Sequence, residues 1–147
     1  MEQTRKHLKT SSFIVLLFAA LSLLQIVSEL LWGELNSAEI PAGSPENILL
    51  ITKTILLGVS LILLLPKFYV GIQGLRMAKK PAPSKKHITL AVIIFVCSAL
   101  GLIEPIAALL KQGSVSESVS SILGVLLELV IYYDHIKYAK AVAKLAE

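Results

Sequence analysis

Four apolar runs, each long enough to cross a hydrocarbon layer, fill most of this chain and are separated by short polar connections. In lipid there is no water to satisfy backbone N–H and C=O groups, so runs of this kind fold as helices. A crossing helix needs about 20 largely apolar residues. The pattern predicts spans over 11–32, 48–75, 88–110 and 118–138. Of 147 residues 55% are hydrophobic, and little sequence is left over for a separate soluble module. The expected fold is an all-α membrane protein, one integral membrane domain over residues 1–147, built as a compact antiparallel bundle of four transmembrane helices.

Arg5, Lys6 and Lys9 precede the first run, as in a secretory leader. The run is too long for a leader's apolar core, and Glu29-Leu30-Leu31-Trp32-Gly33 is not a small-residue cleavage site. It reads as a permanent helix. Charge then orients the chain. Arg5, Lys6 and Lys9 mark the N-terminal tail, Arg76, Lys79, Lys80, Lys85 and Lys86 the middle connection, and Lys137, Lys140 and Lys144 the C-terminal end. The first connection carries Glu34, Glu39 and Glu46 without a basic residue, and the third carries only Lys111 as a base. Short loops rich in Lys and Arg stay cytoplasmic. Both termini and the basic loop over 76–87 are therefore expected inside, in a bacterial cytoplasmic membrane, and the other two connections outside. Trp32 falls at the outer interface, and Phe68, Tyr69, Tyr132 and Tyr133 at the inner one. Pro81 and Pro83 prevent the inner loop from continuing a helix. Its lysines are expected to attract anionic lipid headgroups, at about 1 kcal/mol each.

Spans one and three align with an offset of 79, which places Ala20-Leu21-Ser22-Leu23-Leu24-Gln25 on Ala99-Leu100-Gly101-Leu102-Ile103-Glu104. Both run from inside to outside, so the pattern implies a parallel repeat of a two-helix hairpin. Spans two and four match poorly.

Each span carries a polar or small stripe at helical spacing. The stripes are Ser22, Gln25 and Glu29; Lys53, Ser60, Lys67 and Gly74; Ser98, Gly101, Glu104 and Ala108; and Ser121, Gly124, Glu128, Tyr132 and His135. Turned inward, they would let helices approach closely and hydrogen-bond, leaving Leu, Ile and Val to the lipid. Depth decides which groups are costly. Lys67 is expected near the inner interface, where it can snorkel. Lys53 and Glu104 are expected at similar depth, as a pair with Glu29 competing. Glu128 is central in its span, where an ionised carboxylate costs roughly 2.5–3.5 kcal/mol, so it must be protonated, paired or hydrated. No basic residue is expected at its depth, and the hydroxyls of Ser22, Ser60 and Ser98 are its expected companions. Pro105 removes a backbone hydrogen bond beside Glu104 and predicts a kink. The candidate positions are Glu128, Glu104, Lys53, Gln25, Ser22, Ser60, Ser98 and His135. Asp134 adjoins His135 but points elsewhere on a helix and cannot orient it. His7 and His87 read as loop residues flanked by lysines.

The catalytic and cofactor signatures are missing. Cys97 is the one cysteine, which excludes an intrachain disulfide and a cysteine-based metal site. HExxH, CxxC, GxSxG, Walker and dinucleotide-glycine motifs do not occur. No cofactor, metal, nucleic-acid partner or enzymatic activity is expected. In length and span number the chain resembles the small multidrug transporters, whose first helix carries a central glutamate. Here Glu29 stands at the outer end of span one, and the central glutamate, Glu128, is in span four. The membrane-bound glutathione transferases also have four spans at this length, but their Arg- and Asn-rich motifs are missing. Two functions are expected. The first is a non-enzymatic accessory, regulatory or immunity-type subunit that packs against a membrane protein partner. The second is a homo-oligomeric proton-coupled transporter or channel using Glu128 and Glu104.

Overall fold

The computed structural model describes residues 1–32, 46–111 and 115–146, and every regular element among them is a helix. The helices are α1 (Glu2–Trp32), α2 (Glu46–Lys79), α3 (Lys85–Leu100), α4 (Ile103–Leu110) and α5 (Val115–Lys144). Four stretches are long and apolar enough to cross a membrane: Glu2–Ser28, Ile51–Lys79, Lys85–Leu110 and Ser118–Lys144. The helices outrun the apolar segments that predict them, because polar and basic turns continue the same backbone ladder. His7 and His87, expected in loops, are therefore helical. The predicted outer loop lies, over residues 33–45, outside the described residues.

The third span is broken into α3 and α4 at Gly101 and Leu102. Proline at 105 has no N–H to donate to Gly101, so the turn before it is freed from the regular ladder. Leu102 instead donates to the carbonyl of Ala99, three residues back, and both break residues keep right-handed helical angles. The helix is interrupted one turn ahead of the proline, where a kink is expected.

α1 packs most extensively on α2, and α5 lies against α1, α3 and α2, with α4 resting on α5. Burial is concentrated at one end. Leu8, Met77, Ala78, Ala139 and Val142 form one buried cluster, and Val15, Val70, Ala91, Ile94 and Tyr132 a second next to it. The first cluster joins the start of α1, the end of α2 and the end of α5, with Ile88 of α3 packed on it. This is the end that carries the basic residues. Tyr132, expected at the interface, is buried in this core, while Tyr69 and Tyr133 are exposed. The Arg5 guanidinium donates to the carbonyl of Ala78 at 2.8 Å and to that of Lys79. It thereby satisfies two of the carbonyls that a helix C-terminus leaves open.

The 79-residue offset reappears in the burial. Leu8, Ser12 and Val15 of α1 are buried, and so are His87, Ala91 and Ile94, their counterparts in α3. A second offset of 61 relates Lys67, Gly74 and Ala78 of α2 to Glu128, His135 and Ala139 of α5. The latter two pairs are buried. At one of these pairs the small residue faces the large one, Gly74 of α2 lying against the ring of His135 on α5.

At the opposite end the inward stripes expected from sequence are not all inward. Gly101, Glu104, Ser121 and Gly124 are exposed. A Cβ built on Gly58 or Gly124 meets nothing within 4 Å, whereas one on Gly74 collides with Ser12 and His135. Gly74→Ala should therefore destabilise the protein by about 1–3 kcal/mol. Gly58→Ala and Gly124→Ala should be neutral or stabilising by up to about 1 kcal/mol, because helical glycine is entropically costly. Unfolding titrations in mild detergent measure all three, and an equal response from the three would contradict the packing described.

Candidate functional site

Ser12, Gly74, Met77, His87 and His135 converge from α1, α2, α3 and α5 into a buried polar cluster at the basic end. Ser12, His87 and His135 have no exposed surface. Gly74 makes room for them: its missing side chain is the space occupied by the Ser12 hydroxyl and the His135 ring. The Ser12 hydroxyl sets the direction of the first protons. Ser12 Oγ donates to the carbonyl of Leu8 at 2.6 Å, so it meets His135 Nδ1, 3.4 Å away, as an acceptor. His135 then carries its proton on Nδ1 and presents a bare Nε2. His87 Nε2 lies 2.8 Å from it and donates when it carries that ring's proton. His87 Nδ1 faces Met77 Sδ at 3.1 Å, a contact that closes as a hydrogen bond only with the proton on Nδ1, because a thioether accepts and cannot donate. A neutral His87 therefore serves either His135 or Met77, whereas a second proton on His135 Nε2 is accepted by His87 Nε2 with the His87 proton on Nδ1. The rings meet edge to face, with centroids 5.0 Å apart.

Seven residues toward the opposite end, on both α2 and α5, a second polar contact spans the same two helices. Lys67 Nζ donates to Glu128 Oε1 at 2.6 Å, with 27% and 22% of the two side chains exposed. Two helical turns, about 10 Å, separate this ion pair from the Gly74–His135 contact. The parallel course of α2 and α5 makes the two contacts one register. This corrects two expectations. Glu128 has a basic residue at its own depth, and Lys67 does not snorkel away from it. Depth counted from the ends of the apolar runs fails here because both helices continue beyond those runs, to Lys79 and Lys144. Ser22, Ser60 and Ser98 are half-buried and do not bond Glu128.

The other candidates lie apart from this seam. His135 is in the cluster; Asp134, its neighbour, is exposed on another face. Glu104 is exposed at the start of α4, and no ion pair among the described residues includes it. The expected Lys53–Glu104 pair is therefore not formed. Lys53 and Gln25 have interaction partners of their own. Glu104 instead lines an open cleft of about 400 Å³ between α4 and α5, with Gly101, Pro105, Ala108, Ser118, Ser121 and Val125.

Ser12, Met77 and His87 escaped the sequence reading. The doublet Lys85-Lys86 beside His87 resembles a loop, and Ser12 closes the polar run Lys9-Thr10-Ser11 at the edge of the first apolar segment. The repeat held the usable signal, because His87 and Ala91 take the places of Leu8 and Ser12 at the established offset.

Every buried side-chain nitrogen and oxygen among the described residues has a hydrogen-bond partner. No three His, Cys, Asp or Glu side chains among the described residues converge as a metal site would require. Comparison with protein families, with characterised proteins and with solved structures finds no match to this chain.

Two outcomes follow from this geometry. Nitrogen-15 NMR of the rings should find His135 protonated on Nδ1 at neutral pH; an unprotonated Nδ1 would contradict the Ser12 contact. Lys67→Met should destabilise by about 2–3 kcal/mol, as an ion pair losing one member does when largely shielded from solvent. Adding Glu128→Gln should recover most of that loss, and a double-mutant cycle in detergent unfolding measures the coupling.

Proposed function

We propose that this chain is a non-enzymatic subunit of a membrane assembly. It would sit in the bilayer as an up-and-down four-helix bundle with both termini and the basic loop on the cytoplasmic side, as the distribution of Lys and Arg favours. Its partner would be a second membrane protein, seated on the α4–α5 face.

The observation that carries this reading is the unequal treatment of the polar groups. At the basic end they are consumed internally: Lys67 neutralises Glu128, and Ser12, His87 and His135 close on one another. That arrangement holds helices together and leaves neither Glu128 nor the two histidines without a partner. It favours a packing role over the transporter reading. In the other half, Glu104 stands exposed in a cleft of glycine, alanine and serine, at a depth where an unpaired carboxylate is costly. Small residues around a polar group are the surface that transmembrane helices use to approach one another. A partner helix that offers a hydroxyl, amide or basic side chain would satisfy Glu104 and fill the cleft.

Purification of the tagged full-length chain from its native membrane in mild detergent should bring down one membrane protein in stoichiometric amount. Ser121→Trp, which fills the exposed cleft, should reduce that recovery by about tenfold while leaving the melting temperature of the chain itself unchanged. A single species with no companion, monomeric in nanodiscs, would refute the reading; a second copy of the chain as the companion would replace the partner by a homo-oligomer.

A further inference from the structure

A groove of about 720 Å³ runs between α1 and α2 at the basic end, lined by Lys6, Lys9, Thr10, Phe13, Leu75 and Lys79. We infer that it is a binding site for one anionic phospholipid, with the phosphate held by Lys6, Lys9 and Lys79 and an acyl chain laid along Phe13 and Leu75. The inference rests on the membrane reading of the spans and is independent of the partner proposed for α4 and α5.

The order of residues along both helices carries the argument. On α1 the groove positions are i, i+3, i+4 and i+7, one continuous stripe of a helix. On α2 they are one turn apart. In both helices the lysines stand at the end of the span and the apolar side chain lies toward its middle. Phe13 is about 6–10 Å deeper than Lys9 and Lys6, and Leu75 about 6 Å deeper than Lys79. A phospholipid has the same polarity profile, charged at the surface and apolar beneath. Phe13 is 61% exposed in the isolated chain, so the floor of the groove is open to an acyl chain.

The charges select an anion. The Thr10 hydroxyl donates to the carbonyl of Lys6 at 3.1 Å and is spent on its own helix, so the ammonium groups are the donors available to a phosphate. Arg5 is engaged with the end of α2, which holds the two walls of the groove together rather than supplying a ligand. Glu2 is the opposing charge, 2.9 Å from Lys6 in a largely exposed i,i+4 pair. Such pairs are weak, and a phosphodiester displaces the carboxylate by rotation of one lysine. Basic pockets between spans on the cytoplasmic side are established places for anionic headgroups. This site differs from the inner loop, since Lys80, Lys85 and Lys86 do not line it.

Native mass spectrometry of the purified full-length chain in mild detergent tests the site. The probes are dioleoyl phosphatidylglycerol, dioleoyl phosphatidylcholine and glycerol phosphate. Phosphatidylglycerol should bind at least about tenfold more tightly than phosphatidylcholine. The triple variant Lys6→Gln, Lys9→Gln, Lys79→Gln should lose that preference, and the loop variant Lys85→Gln, Lys86→Gln should keep it within about twofold. Phe13→Ala, which leaves every charge in place, should weaken both lipids. Melting curves on each variant establish that it is folded. Equal binding of the two lipids by the wild type overturns the inference. So does loss of preference in the loop variant alone, or competition by glycerol phosphate at the same concentration, which would make the groove a phosphate site without a lipid.

Discussion

Because Gly74 has no side chain, the ring of His135 can lie against α2, and that approach fixes how α5 is set along it. Given this register, Lys67 must stand opposite Glu128, two turns away, and the two ionisable groups neutralise each other at 2.6 Å. The same approach delivers His135 to His87 and Ser12, so that α1 and α3 are tied to the α2–α5 pair through hydrogen bonds as well as through apolar packing. In a bilayer these contacts weigh differently from those of a soluble core. Apolar side chains gain little by leaving lipid for protein, so close approach and polar closure hold the helices together.

The two halves of the chain are consequently unlike. At the basic end, small and polar residues interlock, and the carbonyls ending α2 are bound by Arg5. At the other end, glycines at 58 and 124 face open space and α4 leaves a cleft beside α5. The polar contacts are thus gathered at the basic end, and the unfilled surface lies toward the other. The proposed subunit role and the proposed lipid site divide along this line: the lipid belongs to the basic end, between α1 and α2, and the protein partner to the α4–α5 face.

Much of this was legible in the sequence, and the failures share a cause. The four spans follow from the length of the apolar runs. The break in the third follows from Pro105, and the stripes containing Lys67 and Gly74, and Glu128 and His135, follow from helical spacing. The pairing between stripes did not follow, because hydropathy measures where a run stops and not where a helix stops. With Lys67 counted from one apolar boundary and Glu128 from another, the two seem to be at different depths. The spacing of seven residues from Lys67 to Gly74 and from Glu128 to His135 was the better ruler, since it needs no boundary. His87 was missed for the same reason: the lysines that make it resemble a loop residue sit on the first turn of α3.

The ion pair between α2 and α5 also has a history in time. The ribosome makes the second span before the fourth, so on the membrane reading proposed above Lys67 would be inserted while Glu128 has not yet been synthesised. Until the last helix arrives, the nascent chain holds an ammonium group without its carboxylate, and the two histidines and Ser12 are likewise incomplete. A product that stops after the third span would keep Lys67, Ser12 and His87 without their α5 partners, whereas in the complete chain these groups are paired. The pairing that closes the fold is in this sense also a record that synthesis was finished.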